Sequence, residues 1–508
     1  MKERLKAILK GPVVFHPLLL AAFPILFLYT YNINETSASH MWLPMIISVA
    51  ATLVLWAILS LILRSLAKAA FATAIFLAFF FSYGHLCDGL EYLGLPVAHA
   101  YLLPSMLVIW GCCVYFISRA RRDFRITTRG LNVAAVALIA INLFNIASYQ
   151  VKLASTSAGT PEESPTQASA ASNLTELDTA PDIYFIIFDE YAHPDTMKEY
   201  YDYDNSVFID SLEDKGIFIA TESKTRTPKS PQCLAQVLNM EYLAPCWEWD
   251  QDKKEYAPTE SVDFGSIDRP WSDATFRKLA YSKVADFLKA RGYEYIGFGS
   301  GAEWLGYMKD STDLYINYRA IAATLWISAF DETLWQTTML RPFYYRIVRR
   351  EYESASRRQT LYTLEHLKML PEQEGPKFVF AHFNCPHKPF VFGPNGEYID
   401  AEDYNNWEDK QVYLGQYLFI SAEIEKLVDA LLDKSEIAPI IILQSDHGLR
   451  PHHHNIVVGG DEWHKILNAM YLPGMGYSEI SDSISPVNTF RLIFNHYFGA
   501  DYPLLEDD

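Results

Sequence analysis

The sequence predicts two structural classes in one chain: an N-terminal transmembrane domain of five helices, then an α/β domain with a mostly parallel sheet covered by helices. Three observations predict this. The first third carries five long apolar segments. Beyond residue 181, short β-favouring apolar runs alternate with segments of helical periodicity. Between them lies a stretch rich in Ser, Thr, Ala, Pro and Glu, with the composition of a flexible linker. The expected boundaries are 1–150 for the membrane domain, 151–180 for the linker and 181–508 for an extracytoplasmic domain.

A bilayer crossing takes about 20 apolar residues. The five segments run Pro12–Tyr31, Trp42–Leu63, Ala67–Tyr83, Tyr101–Ile117 and Leu131–Tyr149, the third and fourth being the shortest. Lys2, Arg4, Lys6 and Lys10 precede the first segment, Arg64 and Lys68 follow the second, and Arg119, Arg121, Arg122, Arg125 and Arg129 follow the fourth. The loops around Asn34-Glu35-Thr36 and Asp88–Glu91 contain no Lys or Arg. This alternation follows the positive-inside rule. It places the N-terminus in the cytoplasm and everything after Tyr149 outside. His16, His85 and Asp88 lie near membrane boundaries, either as ordinary interfacial residues or as contacts for a lipid headgroup.

In the second part, Ile183–Phe188 reads as a strand, Ser206–Lys215 as a helix closed by Gly216, and Ile217–Ala220 as a strand start. Lys283–Ala290 reads as a helix closed by Gly292, with a strand at Tyr293–Phe298. Phe378–Phe383 is another apolar strand. Tyr413–Leu432 has amphipathic periodicity and leads into the buried strand Ile440–Leu443.

The chain has 508 residues, half of them hydrophobic, enough for more than one full core. A net charge of −19 argues against a nucleic-acid partner. Six cysteines show no zinc-like spacing. Cys233 and Cys246 are near enough in sequence to pair in an oxidising compartment, or to remain two thiols.

Four places carry chemistry. Ile440–Leu443 leads through Gln444 and Ser445 to Asp446-His447-Gly448, a carboxylate and an imidazole suited to a divalent metal, or simply a solvated strand end. Ile183–Phe188 ends in Asp189-Glu190, with the same two readings. Ser230, followed by Pro231, has the chemistry of a helix start. It is either an N-cap or a hydroxyl activated by the helix field and a metal. Asn384-Cys385-Pro386-His387-Lys388-Pro389-Phe390 presents His387 and Lys388 on a rigid loop, suited to an oxyanion or leaving group. His452-His453-His454 and His464 are ambiguous.

Taken in order, Asp189, Ser230, Pro386-His387-Lys388-Pro389-Phe390 and Ser445-Asp446-His447-Gly448 resemble the alkaline phosphatase superfamily. They are most similar to its membrane-anchored sulfatase-like branch of lipoteichoic acid synthases and of phosphoethanolamine and phosphoglycerol transferases. Ile466–Gly474 also resembles this branch. The resemblance implies an alkaline-phosphatase-like (sulfatase-like) catalytic domain. It implies Asp189, Ser230, Asp446 and His447 as metal ligands, Ser230 as nucleophile, and His387, Lys388 and His464 as substrate contacts. His387 would act at the phosphate or leaving group, and Glu190 is an open second carboxylate.

One divalent metal ion is expected, Mn²⁺ or Zn²⁺ ahead of Ca²⁺ or Mg²⁺, because no Asp-x-x-x-His falls between Ser230 and Asp446 for a second site. The implied activity is metal-dependent transfer or hydrolysis of a phospho-alcohol headgroup through a phospho-serine, from a membrane lipid to a cell-envelope glycan or lipid. The implied place is the bacterial cytoplasmic membrane, with a periplasmic catalytic domain. The alternatives are a sulfatase or phosphomonoesterase of the same fold, or a non-enzymatic sensor or scaffold. Sulfate-ester hydrolysis is disfavoured because neither Ser230 nor Cys233 begins a C/S-x-P-x-R pattern.

Overall fold

The computed structural model describes residues 13–33, 38–121, 124–157, 180–243, 247–250, 255–258, 273–300, 303–318, 329–344, 350–399, 410–450, 452–453 and 456–507. The pre-span lysines, Arg122, most of the linker, Cys246 and His454 therefore lie outside the described residues, and so does the Cys233–Cys246 pairing. The chain forms two compact units. One gathers the described residues of 1–166 and 326–349, the other those of 167–325 and 350–508. The described residues 329–344 thus group with the N-terminal helices, inside the range 181–508 expected for the extracytoplasmic domain.

The N-terminal unit contains helices α1 (His16–Tyr31), α2 (Ser39–Leu63), α3 (Leu66–Tyr92), α4 (His99–Arg119) and α5 (Arg125–Ser157). α2 to α5 are long and apolar enough to cross a membrane. α1 spans 16 described residues and is shorter than the expected Pro12–Tyr31. The third and fourth segments are longer than expected, because polar residues such as His85, Asp88 and Arg119 continue the helices past the apolar runs. α1 packs against α2, α3 and α5. His16 is buried against α5, its Nδ1 3.0 Å from Asn132 Oδ1.

The second unit is built on a seven-stranded sheet. Its strands are β1 (Ile183–Phe188), β2 (Phe218–Ile219), β3 (Glu294–Phe298), β4 (Leu314–Ile316), β5 (Lys377–Phe383), β6 (Ile440–Ser445) and β7 (Asn468–Tyr471). In space they run β2-β7-β6-β1-β5-β3-β4. β1 pairs in parallel with β5 and β6, and β3 with β4 and β5, while β7 runs antiparallel to β6 and β2.

Every residue of β1 is buried, as a central strand covered on both faces requires. Side chains alternate between the faces. Tyr184, Ile186 and Phe188 join Leu443, Tyr417, Ile420 and Leu427 in one core, which the helix Lys410–Lys434 covers. Ile183, Phe185 and Ile187 join Leu234, Leu288 and Phe490 in the other, under Ser230–Asn239, Lys283–Lys289 and Thr489–Phe498. The parallel strands β1, β5 and β6 end at one edge of the sheet, where open α/β sheets place ligands.

Candidate metal centre

Phe188 is in register with Ser445 across β1 and β6, so Asp189 and Asp446 leave the sheet edge side by side. Asp189 N–H donates to Phe383 O of β5 (2.9 Å), which fixes the first residue beyond β1. His447 Nε2 stands 3.5 Å from Asp189 Oδ1 and 3.9 Å from Asp446 Oδ2. One ligand atom from each of these three residues lies within 4.8 Å of the others. All three residues are buried.

His447 Nδ1 is 2.9 Å from Gly448 O. A carbonyl only accepts, so Nδ1 carries the proton and Nε2 turns its lone pair toward the carboxylates. Asp446 Oδ1 accepts from the backbone N–H groups of Glu190 (3.2 Å) and His447 (2.9 Å). Asp446 Oδ2 and Asp189 Oδ1 are buried with no hydrogen-bond partner. Burial and then the neighbouring Asp446 charge push the Asp189 carboxyl well above its ordinary range. Burial also opposes ionisation of Asp446, but His447, His382 and a hydrogen bond with Ser230 outweigh it and hold that carboxyl low. Two orphaned carboxylate oxygens and an imidazole lone pair, all buried and convergent, fit a divalent cation in donor chemistry.

Gly448 lets the chain turn beside this group. A Cβ there would stand 2.2 Å from Glu462 O and 2.4 Å from Lys465 O, both backbone atoms.

Ser230 is the first residue of the helix Ser230–Asn239, and Lys229 stands at the cap position with no side-chain cap bond. The expected N-cap is therefore shifted by one residue. The buried Ser230 hydroxyl is instead among the groups that hold the Asp446 carboxyl low, so it lies beside the Asp189–Asp446–His447 cluster. Cys233, one turn on, is also buried, and its thiol is pushed up to about 12, so it carries no thiolate near neutral pH.

A second cluster adjoins the first. Glu190 has a φ of +59°, a conformation that L side chains rarely adopt. Its carboxylate lies 3.3 Å from Arg450 Nε and 3.8 Å from His387 Nε2. Arg450 Nη2 donates to His387 Nε2 (2.9 Å), and His387 Nδ1–H donates to Lys388 O (2.7 Å). Burial, and then the Arg450 charge, lower the His387 pKa to about 3. His387 is thus neutral with its Nε2 lone pair occupied, and has no Nε2 proton to give a leaving group.

The His387 loop is held from beneath by the buried Gln416. Its Nε2 donates to Pro386 O (3.0 Å), His387 O (2.9 Å) and Pro389 O (3.3 Å). Lys388 is exposed, and its carbonyl rather than its ammonium group engages His387. His464 pairs with the loop before Ser230, its Nδ1 donating to Thr225 O (2.7 Å), and its neighbour Trp463 packs edge-on against His447. His452 and His453 pair with Ile456–Val457 in a short ribbon.

Sequence reasoning missed Arg450, Gln416 and His382. His382 reaches Ser300 Oγ through Nδ1 (3.0 Å) and points Nε2 toward Asp446 Oδ2 (3.9 Å). Its position on β5 beside β1 was the available signal, because Ile187 is its register partner.

No family model matches the chain, and no curated protein matches it. Among solved structures, the chain is similar to the integral membrane protein lipooligosaccharide phosphoethanolamine transferase A from Neisseria meningitidis. That match has 11% identity, 94% of each chain covered and a TM-score of 0.38. The chain is also similar to the C-terminal periplasmic domain of EcEptC from Escherichia coli in complex with Zn, at 14% identity, 66% of this chain, 89% of that one and a TM-score of 0.40. The lipoteichoic acid synthase LtaP from Listeria monocytogenes is matched at 11% identity, 64% of this chain, 74% of that one and a TM-score of 0.36. The first and third bear the names of the branch that the sequence motifs resemble.

Proposed function

We propose that this chain is a metal-dependent phosphotransferase or phosphodiesterase that works on the outer side of the cytoplasmic membrane. It takes a phospho-alcohol headgroup of the phosphoglycerol or phosphoethanolamine type from a membrane lipid. The group passes through a phospho-serine to a cell-envelope glycan or lipid. The observation that carries this reading is the convergence of buried Asp189, Asp446 and His447, with the buried Ser230 hydroxyl among the groups that hold the Asp446 carboxyl low.

Asp189, Asp446, His447 and the Ser230 hydroxyl would hold one divalent ion, Mn²⁺ or Zn²⁺ by donor type, at this edge. Once bound, such an ion supplies Lewis acidity that lowers the hydroxyl pKa and offsets charge on phosphoryl oxygens. Ser230 Oγ attacks phosphorus as its proton passes to solvent water. The new Oγ–P bond forms as the bond from phosphorus to the lipid alcohol oxygen breaks, and that oxygen takes up a proton. A second alcohol or water then reverses the step and frees Ser230.

Arg450 steadies the non-bridging oxygens, because its guanidinium is part-exposed while Glu190 and His387 orient it. His387 acts by aiming Arg450 rather than as a proton donor. His464 and Lys388 would contact substrate farther out.

The test is to incubate purified protein with labelled phosphatidylglycerol or phosphatidylethanolamine and to search for a phospho-adduct by intact mass. Wild type should form one adduct at Ser230, and Ser230→Ala none. Undiminished turnover by Ser230→Ala would remove the nucleophile from this scheme.

A further inference from the structure

Residues 326–349 lie in sequence between two parts of the α/β unit but fold with the apolar helices. Their described portion is a helix, Ala329–Thr337, followed by a turn and the short helix Arg341–Tyr344. Separate contacts seat it. Phe330 is buried against Ile25, Leu26 and Tyr29 of α1 and Met41 of α2. Met339 is buried against Tyr83 and Cys87 of α3 and Met106 of α4, and its N–H donates to Phe80 O (2.9 Å). Arg341 donates to Gly84 O (3.1 Å) and pairs with Asp88. At Gly84 a Cβ would stand 2.1 Å from Gln336 O and 2.5 Å from Thr337 Cα, so this close backbone approach requires glycine.

The depth of the seat follows from helix geometry. Counted from Leu66 at 1.5 Å per residue, Gly84 lies about 27 Å and Asp88 about 33 Å along α3. These positions straddle the far edge of a hydrocarbon core about 30 Å thick. The charge of the adjacent loops makes that edge the outer one. The seated segment still exposes two apolar side chains that flank Arg341, Leu340 (36%) and Phe343 (47%). Leu86 of α3 and Tyr101 of α4, near the same end of the unit, are exposed as well.

We infer that residues 329–344 form an interfacial anchor. The segment is built into the outer end of the helix bundle. It presents Leu340 and Phe343 to the acyl chains of outer-leaflet phospholipid, continuous with the lipid-facing side of α3 and α4, and it holds the Arg341–Asp88 pair at headgroup level. The inference rests on the reading of α2–α5 as bilayer spans. It adds that the chain returns from the α/β unit to the membrane surface and leaves it again.

The experiment places a photoreactive benzoylphenylalanine at 340, 343 or, as a reference inside α2, at Ile62, in the full chain reconstituted into phosphatidylethanolamine/phosphatidylglycerol vesicles. Lipid adducts at 340 and 343 within a few-fold of the Ile62 yield are expected. Adducts at Ile62 with none at 340 and 343 overturn the anchor and leave the spans intact, whereas none at any position overturns both. Asp88→Arg should lower the 343 adduct several-fold, and pairing it with Arg341→Asp should restore it. An adduct yield indifferent to both changes overturns the seat. Gly84→Ala gives a further readout as faster proteolysis within 319–349, and unchanged cleavage contradicts the close approach.

Discussion

The two side-chain clusters at the end of the sheet are built to opposite electrostatic rules. Asp189, Asp446 and His447 bring two carboxyl groups and an imidazole together, and leave buried carboxyl oxygens without hydrogen-bond partners. Glu190, Arg450 and His387 bring one negative charge, one positive charge and a neutral imidazole together, as an ion pair whose cation also donates to the imidazole. Burying unpaired charge is strongly unfavourable, and the donor set of the first cluster fits a cation that would offset it. The second is already balanced and can spend its part-exposed guanidinium on an anion. Adjacent acidic residues, Asp189 and Glu190, therefore do unlike work. The backbone at Glu190 turns into the left-handed region and sends its side chain to Arg450.

The largest effect should come from the first cluster. Asp446→Ala removes a ligand and frees Ser230, and should lower turnover about a thousandfold, corresponding to the loss of several kcal/mol of transition-state stabilisation. Steady-state kinetics on a lipid donor would read it, and near-normal turnover would separate this cluster from the chemistry. Next comes the second cluster. Arg450→Lys keeps the charge but loses the fork, and should lower kcat about a hundredfold while metal content stays unchanged. A parallel loss of metal would merge the two clusters into one site. Glu190→Gln should cost about tenfold through misplacement of Arg450, in line with other supporting contacts of active-site groups. Its diagnostic is partial rescue by Glu190→Asp.

The smallest effect is on acid stability. His387 is held near pKa 3 when folded against about 6.5 when unfolded, so the unfolded chain binds more protons between those values. Its contribution to stability is complete above about pH 6.5 and is lost as pH falls toward 3. His387→Gln should flatten the stability–pH slope in that window. Arg450→Gln should raise the His387 pKa toward its ordinary range, which an NMR titration of the imidazole would show.

Much of this was legible in the sequence because it depends on local pattern. The runs Ile183–Phe188 and Ile440–Leu443 are apolar strands that stop at acids, and a parallel pairing of two such strands sets their ends together. Ser230 was visible through Pro231 after it, although the helix begins one residue earlier than an N-cap reading requires. The partners of Glu190 were not legible. Arg450 lies 260 residues away in sequence (450 − 190), and only the register of β1 on β6 brings it near.

Gln416 sits mid-helix and looks like an ordinary polar residue until the Pro386–Pro389 carbonyls arrive above it. The segment 329–344 is brief, and no periodicity within it could reveal that its partners are α1, α2, α3 and α4. β7, four residues long and antiparallel, was likewise too short to set its direction from sequence.

The most direct test is equilibrium titration of Mn²⁺ or Zn²⁺ into metal-free wild type, Asp446→Asn and Glu190→Gln. One tightly bound equivalent is expected for wild type and for Glu190→Gln, with binding weakened at least a hundredfold for Asp446→Asn. Loss of the ion in Glu190→Gln with full retention in Asp446→Asn would contradict that expectation.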